Sequence, residues 1–402
     1  MNKMNYHFLQ GKKNLLEDID QKKELETIQE KIGSFFDMNN LCFLFGSGTS
    51  AKAIPLMKGL YNGLQAEKTG YEKEESEFLD NIEDNGNIEN VMGVLYSGRE
   101  YLKERKNPTN AEKKSLKVIN SLISKIEQFL KSQIDVLNAD DWNDEVRKTL
   151  ENYKKFYSKV AFRNKELSRV NVFTTNNDMF NEVALDSLSI HYFNGFSGGV
   201  LRSFNPASFS YTLSKRMDTA IDKYEPVENL VYLYKIHGSI NWIEDEKATN
   251  DSFFTIKELP LRNDSKTTNV LVYPTPLKQN KSLGAPYVDL FREFQHKLLE
   301  PNTVLFVIGY SFSDEHVNDI IYRALATNST MNLVLINEIG SDKVIAKIDD
   351  PRIYRLWSTD AASGDEPIHH FSEIVDNLFP TKNAFDPEPI LKQFVKELHE
   401  NR

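Results

Sequence analysis

The sequence LCFLFGSGTS at residues 41–50 decides the fold expected for this chain. Its first five residues are apolar, too few for a helix, and end at a glycine, so they are predicted to form a strand buried on both faces. The Gly/Ser turn lets a ligand approach the backbone closely, and a helix expected after Ile54 and Pro55 aims its positive N-terminus at that turn. These are the parts of a nucleotide-phosphate site. An ordinary strand-to-helix turn has the same pattern, because the third glycine of the dinucleotide fingerprint and the P-loop lysine are both missing.

Four more apolar runs along the chain end in polar or glycine clusters. The runs and the clusters that follow them are 170–173 with 174–178, 231–236 with 237–239, 303–308 with 309–311, and 333–336 with 337–338. The runs alternate with helical patterns, which predicts an α/β fold with a Rossmann-like, mostly parallel sheet. Ligands bind outside the carboxyl ends of the strands in such sheets, so all the clusters together are expected to line one cleft.

The chain is expected to divide into three parts. These are an N-terminal helical segment at 1–40, the α/β domain at 41–380, and a C-terminal helical tail at 381–402. Between about 70 and 165 no strand pattern occurs, and an apolar stripe has helical spacing. This predicts an all-helical module inserted between two strands of the sheet.

Three smaller features are also predicted. The polar stretch 244–268 is interpreted as hairpin-like, and residues 270–273 as a further short strand. Asp314 is expected to cap the helix that follows the cluster at 309–311.

Composition restricts the class of protein. A net charge of −10 argues against a general nucleic-acid binder, and the single cysteine excludes a disulfide framework and a thiolate zinc site. Cys42 lies inside the first predicted strand and is interpreted as a core residue. The first residues contain no apolar signal-peptide core, and nowhere do about 18 apolar residues run together, so a soluble, cytoplasmic protein is expected.

The clusters resemble, in the order of the chain, the motifs of the sirtuin family in its bacterial defence branch. GSGTS at 46–50, with AIP at 53–55, is similar to the sirtuin phosphate loop G-A-G-x-S…G-I-P. TTNND at 174–178 matches the T-x-N-x-D motif. HG at 237–238 matches the catalytic His-Gly, in the K-x-H-G-S-x-N-W setting typical of the defence branch.

Two further segments complete the resemblance. GYSF at 309–312 resembles the G-x-S segment, and IN at 336–337 resembles the segment that holds the adenosine ribose. The resemblance extends over about residues 38–380, less the helical insertion. It implies the sirtuin-like (DHS-like) NAD-binding fold.

The resemblance also implies roles for particular residues toward NAD+ as a substrate. His237 would be the general base, and Asn176 and Asp178 would hold the nicotinamide and its ribose as further catalytic residues. The residues implied to hold the rest of NAD+ are Gly46, Ser47, Gly48, Ser50, Thr174, Gly309, Ser311 and Asn337. These residue types suit the chemistry, because a histidine can act as a base near neutral pH and a carboxylate or amide dipole stabilises an oxocarbenium-like transition state.

The sequence departs from the deacylase pattern in two places. No four-cysteine zinc module follows His237, and Leu56, Met57 and Lys58 stand where deacylases carry Asp-Phe-Arg. The missing module weighs against zinc, and both changes weigh against acyl-lysine binding, so water becomes the expected nucleophile. The resemblance then implies a NAD+ glycohydrolase that releases nicotinamide and ADP-ribose, and that depletes NAD+ as the effector of a bacterial anti-phage defence system.

The resemblance further implies partners. A HerA-type ATPase, or another defence protein such as a short Argonaute, is expected to act beside this chain. A homo-oligomer with contacts through the helical segments is expected, with no membrane partner and with nucleic acid contacted only indirectly. Two other classes stay open, namely a non-catalytic subunit that senses NAD or ADP-ribose and a nuclease-like or scaffold partner of the ATPase. A NAD-dependent protein deacylase is the least supported interpretation.

The remaining histidines and one tryptophan have competing interpretations. His191 is interpreted as a core or rim residue of a strand, and His316 either contacts ligand near the adenosine side or is an ordinary helix residue. His369 and His370 have no metal-ligand partners at helical spacing and are interpreted as surface residues. Trp242 either walls the nicotinamide pocket or packs in the core.

Overall fold

The structure, a computed structural model, describes residues 4–82, 86–161, 163, 166–217, 223–244, 255–261, 286–359 and 366–380. Its strands are β1 (Asn5–Gln10), β2 (Lys13–Asn14), β3 (Asn40–Phe45), β4 (Val170–Thr174), β5 (His191–Phe193), β6 (Phe196–Ser197), β7 (Arg202–Phe204), β8 (Ser214–Arg216), β9 (Tyr224–Pro226), β10 (Leu230–Lys235), β11 (Trp242–Glu244), β12 (Ile256–Glu258), β13 (Thr303–Ile308), β14 (Asn332–Ile336) and β15 (Ile353–Thr359). Its helices are α1 (Glu24–Phe35), α2 (Met57–Glu67), α3 (Lys73–Asp80), α4 (Ile88–Lys103), α5 (Asn110–Ile134), α6 (Asp144–Val160), α7 (Phe180–Ser187), α8 (Tyr287–Leu299), α9 (Glu315–Thr327), α10 (Val344–Lys347) and α11 (Phe371–Glu373).

Nine strands of the described residues form one sheet, in the order β2-β1-β15-β14-β13-β3-β4-β10-β5. All neighbours from β15 to β5 pair in parallel, whereas β1 pairs antiparallel with both β15 and β2. Both β3 and β13 are buried along their whole length, which explains their near-continuous apolar sequences. The predicted α/β fold with a mostly parallel sheet is confirmed.

The register of the sheet aligns the ends of its central strands. Phe45 at the end of β3 pairs with Thr174 on one side and with Ile308 on the other. Thr174 also pairs with Lys235 at the end of β10, and Ile308 pairs with Ile336 at the end of β14. The clusters that follow these strands therefore leave the sheet at one edge, as the sequence predicted.

Helices cover both faces of the sheet. The side chains of α1, α6 and α7 form one core with the sheet, and those of α8 and α9 form another. Phe43 and Phe45 of β3 belong to the first core, where each ring centroid lies 4.9 Å from that of Phe156. Cys42 and Leu44 belong to the second core, and Cys42 is fully buried as predicted.

Helices α2 to α5 form a separate helical lobe. They share a core of their own, which includes Leu60, Leu64, Leu95, Leu122 and Ile126. Helix α5 begins with a capping box, in which the Thr109 side chain accepts a hydrogen bond from the backbone N–H of Glu112 and the Glu112 side chain accepts one from that of Thr109. The predicted all-helical module between two strands is present.

Helix α6 was predicted as part of that module, but it packs on the sheet. Its residues Tyr153, Phe156 and Tyr157 are fully buried in the core shared with α1 and α7. This aromatic face needs a large apolar surface to cover it, and the sheet offers one. Helical periodicity reports that a face is buried but does not say against which neighbour.

The prediction of an N-terminal helical segment at 1–40 missed a strand. Residues of β1 pair with β15 from Asn5 opposite Thr359 to Gln10 opposite Tyr354, and the helix α1 begins only at Glu24. Phe8 is the one residue of β1 that is fully buried. A six-residue strand with a single buried side chain leaves almost no periodic signal in the sequence.

A smaller antiparallel sheet, in the order β11-β12-β7-β6, lies beside the main one. Strands β11 and β12 pair from Trp242 opposite Glu258, which is part of the hairpin expected at 244–268. The strand predicted at 270–273 and the helical tail predicted at 381–402 lie outside the described residues. Among the described residues, no helix is long and apolar enough to cross a membrane.

Candidate functional site

A cavity of about 720 Å³ opens where the carboxyl edge of the sheet faces the helical lobe. Six of the residues predicted to bind NAD+ or to act on it line this cavity: Ser47, Ser50, Asn176, Asp178, His237 and Ser311. The wall that the helical lobe contributes is mostly apolar and includes Met57, Leu60, Ile88, Leu130 and Ile134. The cavity thus has a polar floor on the sheet and an apolar wall on the lobe.

The remaining predicted residues lie behind the cavity rather than on its surface. Thr174 accepts a hydrogen bond at Oγ1 from the backbone N–H of Asn176, at 3.0 Å. The amide of Asn337 donates to the carbonyl of Tyr310, at 2.8 Å, and Asn337 does not line the cavity. Both residues therefore fix the backbone of a cavity-lining loop.

The predicted glycines serve the contact between two loops. A Cβ atom on Gly46 would lie 2.5 Å from the carbonyl oxygen of Gly309, and one on Gly48 would lie 2.6 Å from the Cα of Gly309. Gly309 itself has a φ of +65°, in the left-handed region. The backbone N–H of Gly48 donates to the carbonyl of Gly309, at 2.9 Å. The turn after β3 is therefore locked to the turn after β13.

Hydrogen bonds join the residues at the floor of the cavity into one network. The amide of Asn176 donates to the hydroxyl oxygens of Thr49, at 3.0 Å, and Ser50, at 3.1 Å. The Ser50 hydroxyl donates to Oδ2 of Asp178, at 2.7 Å. The hydroxyl of Tyr153, from α6, lies 2.7 Å from Oγ1 of Thr49. Tyr153 was not predicted as a site residue, because nothing in the apolar stripe of α6 distinguishes it from the other core aromatics.

A buried lysine lies beneath this network. Lys235 is fully buried, pairs with Glu182 at 2.9 Å, and donates to Oγ of Ser239 at 2.6 Å and to the carbonyl of Asp178. The amide of Asn177 donates to the carbonyl of His237, at 2.9 Å. These contacts tie the loop after β4 to the turn after β10.

The side chain of Asp178, at the edge of the cavity, is also buried. Burial raises its pKa, and the charge of Lys235 and the hydrogen bond from Ser50 oppose that rise only in part. Asp178 also accepts a hydrogen bond at Oδ1 from the N–H of Phe180, at 3.0 Å, where α7 begins. Its orientation is thus fixed at both oxygens.

His237 stands at the end of β10 and contacts an acidic residue from α9. Its Nε2 atom lies 2.9 Å from Oδ2 of Asp314, and the two side chains are 19% and 28% exposed. Asp314 caps α9, because its Oδ1 accepts hydrogen bonds from the N–H groups of His316, at 2.8 Å, and Val317, at 3.1 Å. The capping role was predicted, but the contact with His237 was not.

The other histidines and Trp242 have separate environments. His316 lines the cavity, and its ring packs edge-on against Phe291 with a centroid distance of 4.4 Å. His191 is exposed at the start of β5. Trp242 is fully buried among side chains of the small sheet, where its ring centroid lies 5.0 Å from that of Phe196. It does not line the cavity. Of the two interpretations of Trp242, packing in the core therefore fits the structure, and a wall of the ligand pocket does not.

The described part of the chain has no group of three or more His, Cys, Asp or Glu side chains arranged to hold a metal ion. Among the described residues that line the cavity there is also no lysine or arginine. The charged groups there are the carboxylates Asp178, Asp314, Glu89 and Glu315. The cavity is therefore suited to a ligand that carries positive charge near these groups.

The fold and the cavity define a class, namely an α/β protein with a ligand cavity at the carboxyl edge of its parallel strands. Within it, residues 170–347 match a family model described as a SIR2-like domain, which is less than half of the chain. This stretch contains Asn176, Asp178 and His237. No curated protein matches the sequence.

Solved structures of Sir2 homologues are similar at a low level. A Sir2 homologue in complex with NAD has a TM-score of 0.40 at 12% identity, over 87% of this chain and 91% of that chain. A mutant Sir2 homologue in complex with ADP-ribose has a TM-score of 0.38 at 12% identity, over 87% of this chain and 94% of that chain.

Proposed function

We propose that this chain binds NAD+ in the cavity between the sheet and the helical lobe, and that it hydrolyses NAD+ to nicotinamide and ADP-ribose. One observation carries the proposal: His237, Asn176 and Asp178, which the sequence places on two separate loops, line one cavity at the carboxyl edge of the sheet. The SIR2-like match over 170–347 supports it, because that stretch contains all three residues.

The charge of the cavity suits one end of this substrate. The nicotinamide ring of NAD+ is a cation, and the lining carboxylates favour it. The diphosphate would be met by the turn at Ser47–Thr49 through Ser47, which lines the cavity, because the backbone N–H groups of Gly48 and Thr49 already donate to the carbonyls of Gly309 and Gly46. Ser311, across the interlocked turn after β13, would contact the adenosine half.

The proposed reaction needs few groups. The bond between C1′ of the nicotinamide ribose and the nicotinamide nitrogen breaks, and its electron pair stays on nicotinamide. A water oxygen bonds to C1′ while His237 takes the water proton, which later passes to solvent. The positive charge that develops on the ribose is stabilised by the amide dipole of Asn176 and by the carboxyl group of Asp178.

We further propose the biological setting that the resemblance to the defence branch implies. NAD+ depletion in the cytoplasm would make this chain the effector of an anti-phage system, acting as a homo-oligomer or beside a HerA-type ATPase. The zinc-free character and the lack of deacylation remain predictions of the same proposal. Metal analysis of the purified chain and nicotinamide release with and without an acetyl-lysine peptide would test both.

The direct test is to incubate the purified chain with NAD+, alone and with a candidate partner, and to measure nicotinamide by chromatography. The His237→Ala variant should lose about 10²–10⁴-fold in rate, while its affinity for NAD+ changes little, because a general base acts mainly in the transition state. The matched control is His191→Ala, since His191 is exposed at the start of β5, away from the cavity.

Each result decides between functions. Equal rates for His237→Ala and the wild type would refute the assignment of the base. A wild-type chain that binds NAD+ but releases no nicotinamide with any partner would instead support the sensing subunit. Release that depends on the acetyl-lysine peptide would support a deacylase.

A further inference from the structure

The contact between His237 and Asp314 joins two elements that are distant in the sequence. His237 follows β10, Asp314 precedes α9, and both side chains line the cavity. The distance of 2.9 Å between Nε2 of His237 and Oδ2 of Asp314 is that of a charge-assisted hydrogen bond. Within the described part of the chain, Asp314 is the carboxylate at ion-pair distance from His237.

Each oxygen of Asp314 has its own partner. Oδ1 accepts the N–H groups of His316 and Val317, so the carboxyl group cannot rotate without uncapping α9. Burial acts to raise the pKa of Asp314, but hydrogen bonds from His237 and from these two N–H groups outweigh it and lower the pKa to about 2. Asp314 is therefore an ionised, fixed acceptor at every pH at which the protein would act.

An ionised acceptor selects one form of the imidazole. The neutral ring carries a single N–H, and the Oδ2 atom of Asp314 can only accept, so Nε2 holds that proton. The lone pair of Nδ1 is then free to take a proton from a bound reactant.

We propose that Asp314 is the positioning residue of His237: it holds the proton of the ring on Nε2, so that Nδ1 of His237 is the atom that accepts the proton of the attacking water. This inference rests on the proposed hydrolysis of NAD+. Water oxygen bonds to C1′ of the ribose, the C1′–N bond breaks toward nicotinamide, and the water proton moves to Nδ1. Asp314 stays ionised throughout and stabilises the imidazolium until its extra proton leaves to solvent.

Other charged groups face His237 from the surrounding elements. The titratable groups that line the same cavity are Asp178 after β4, Glu315 and His316 at the start of α9, and Glu89 in α4, whereas Lys235, at the end of β10, is buried and directed to Glu182 and Ser239. Any of them contributes to the field in the cavity. Among the described residues, Asp314 is the one in contact with a ring nitrogen of His237, so a substitution of Asp314 changes the tautomer preference and leaves the other groups in place.

The decisive variant is Asp314→Asn. The Asn side chain can still cap α9 through its oxygen, but it presents an N–H group to Nε2 of His237, which moves the ring proton to Nδ1. The expected result is a loss of about 10²–10⁴-fold in kcat with little change in KM, because the base is lost while the cavity is kept. The matched control is Asp319→Asn, which removes one exposed negative charge from the same helix.

A second readout does not depend on turnover. Imidazole ¹⁵N chemical shifts, assigned to His237 by comparison with His237→Ala, should report the Nε2–H form in the wild type and the Nδ1–H form in Asp314→Asn. If Asp314→Asn proves unstable in thermal unfolding, Asp314→Ser supplies a capping hydroxyl without a carboxylate, and it should lose the preference for the Nε2–H form.

The outcomes separate this inference from the proposed function. A wild-type chain without NAD+ hydrolysis would refute the proposed function, and the ¹⁵N spectra would still decide the role of Asp314. An Asp314→Asn variant with the rate and the Nε2–H form of the wild type would overturn the inference. A variant more active than the wild type would also overturn it, because Asp314 would then restrain His237 rather than position it.

Discussion

At the scale of single residues, substitution of one member of the buried ion pair of Lys235 and Glu182 is expected to be strongly destabilising. Both side chains are buried, at 0% and 3% exposure, and they lie 2.9 Å apart. Replacement by Lys235→Met leaves the charge of Glu182 uncompensated, so we expect a loss of about 3–5 kcal/mol in the free energy of unfolding. The double variant with Glu182→Gln should recover part of that loss, as urea unfolding would measure.

The control for this prediction is an exposed lysine. Lys215 on β8 is 65% exposed and lies 3.8 Å from Glu225, so Lys215→Met should change the free energy of unfolding by less than about 0.5 kcal/mol. If Lys235→Met were as mild as Lys215→Met, or if the double variant were no better than the single one, the ion pair would not be what stabilises the contact between α7 and the end of β10.

At the scale of elements, the stability that helix α9 gains from its N-cap residue, Asp314, is expected to depend on pH. The pKa of Asp314 is lowered to about 2, below the value of an unfolded chain, so its ionised form stabilises the folded state. That contribution, about 2 kcal/mol, is fully present above pH 4 and is lost as the pH falls toward 2. Urea unfolding between pH 2 and 6 should therefore show a steeper loss of stability for the wild type than for Asp314→Asn. Parallel curves would contradict the prediction.

The buried strands could be predicted from the sequence, whereas the contacts between elements that are distant in the sequence could not. The runs of β3 and β13 are buried on both faces, so their apolar residues and the glycines that end them identify both the sheet and the edge where ligands bind. Contacts between distant elements left no such signal. Tyr153 looks like any core aromatic of α6, and the pairing of Asp314 with His237 depends on how α9 meets β10. The spacing of residues in the sequence carries no information about the contact of Tyr153 with Thr49 or of Asp314 with His237.

At the scale of the whole molecule, the cavity belongs to two bodies with separate cores. The floor comes from loops of the sheet, whereas the wall comes from α2, α4 and α5, whose core does not include residues of the sheet. A ligand that contacts both the loops of the sheet and the helical lobe would bind only when these two parts are held in the arrangement that forms the cavity. Its binding energy would then reduce local opening on both sides of the cavity.

Hydrogen exchange tests this coupling. We expect NAD+ bound to His237→Ala, which keeps the ligand intact, to slow amide exchange at 46–50 and 174–178 on the sheet and also at 87–89 and 130–134 on the lobe. The physical reason is that a ligand stabilises every segment that must open for it to leave, by ~2.7 kcal/mol at 100 times its dissociation constant. Strand β1 is far from the cavity lining and should show no local change. Protection confined to the sheet would mean that the lobe does not take part in binding, and the cavity would then hold its ligand on the sheet alone.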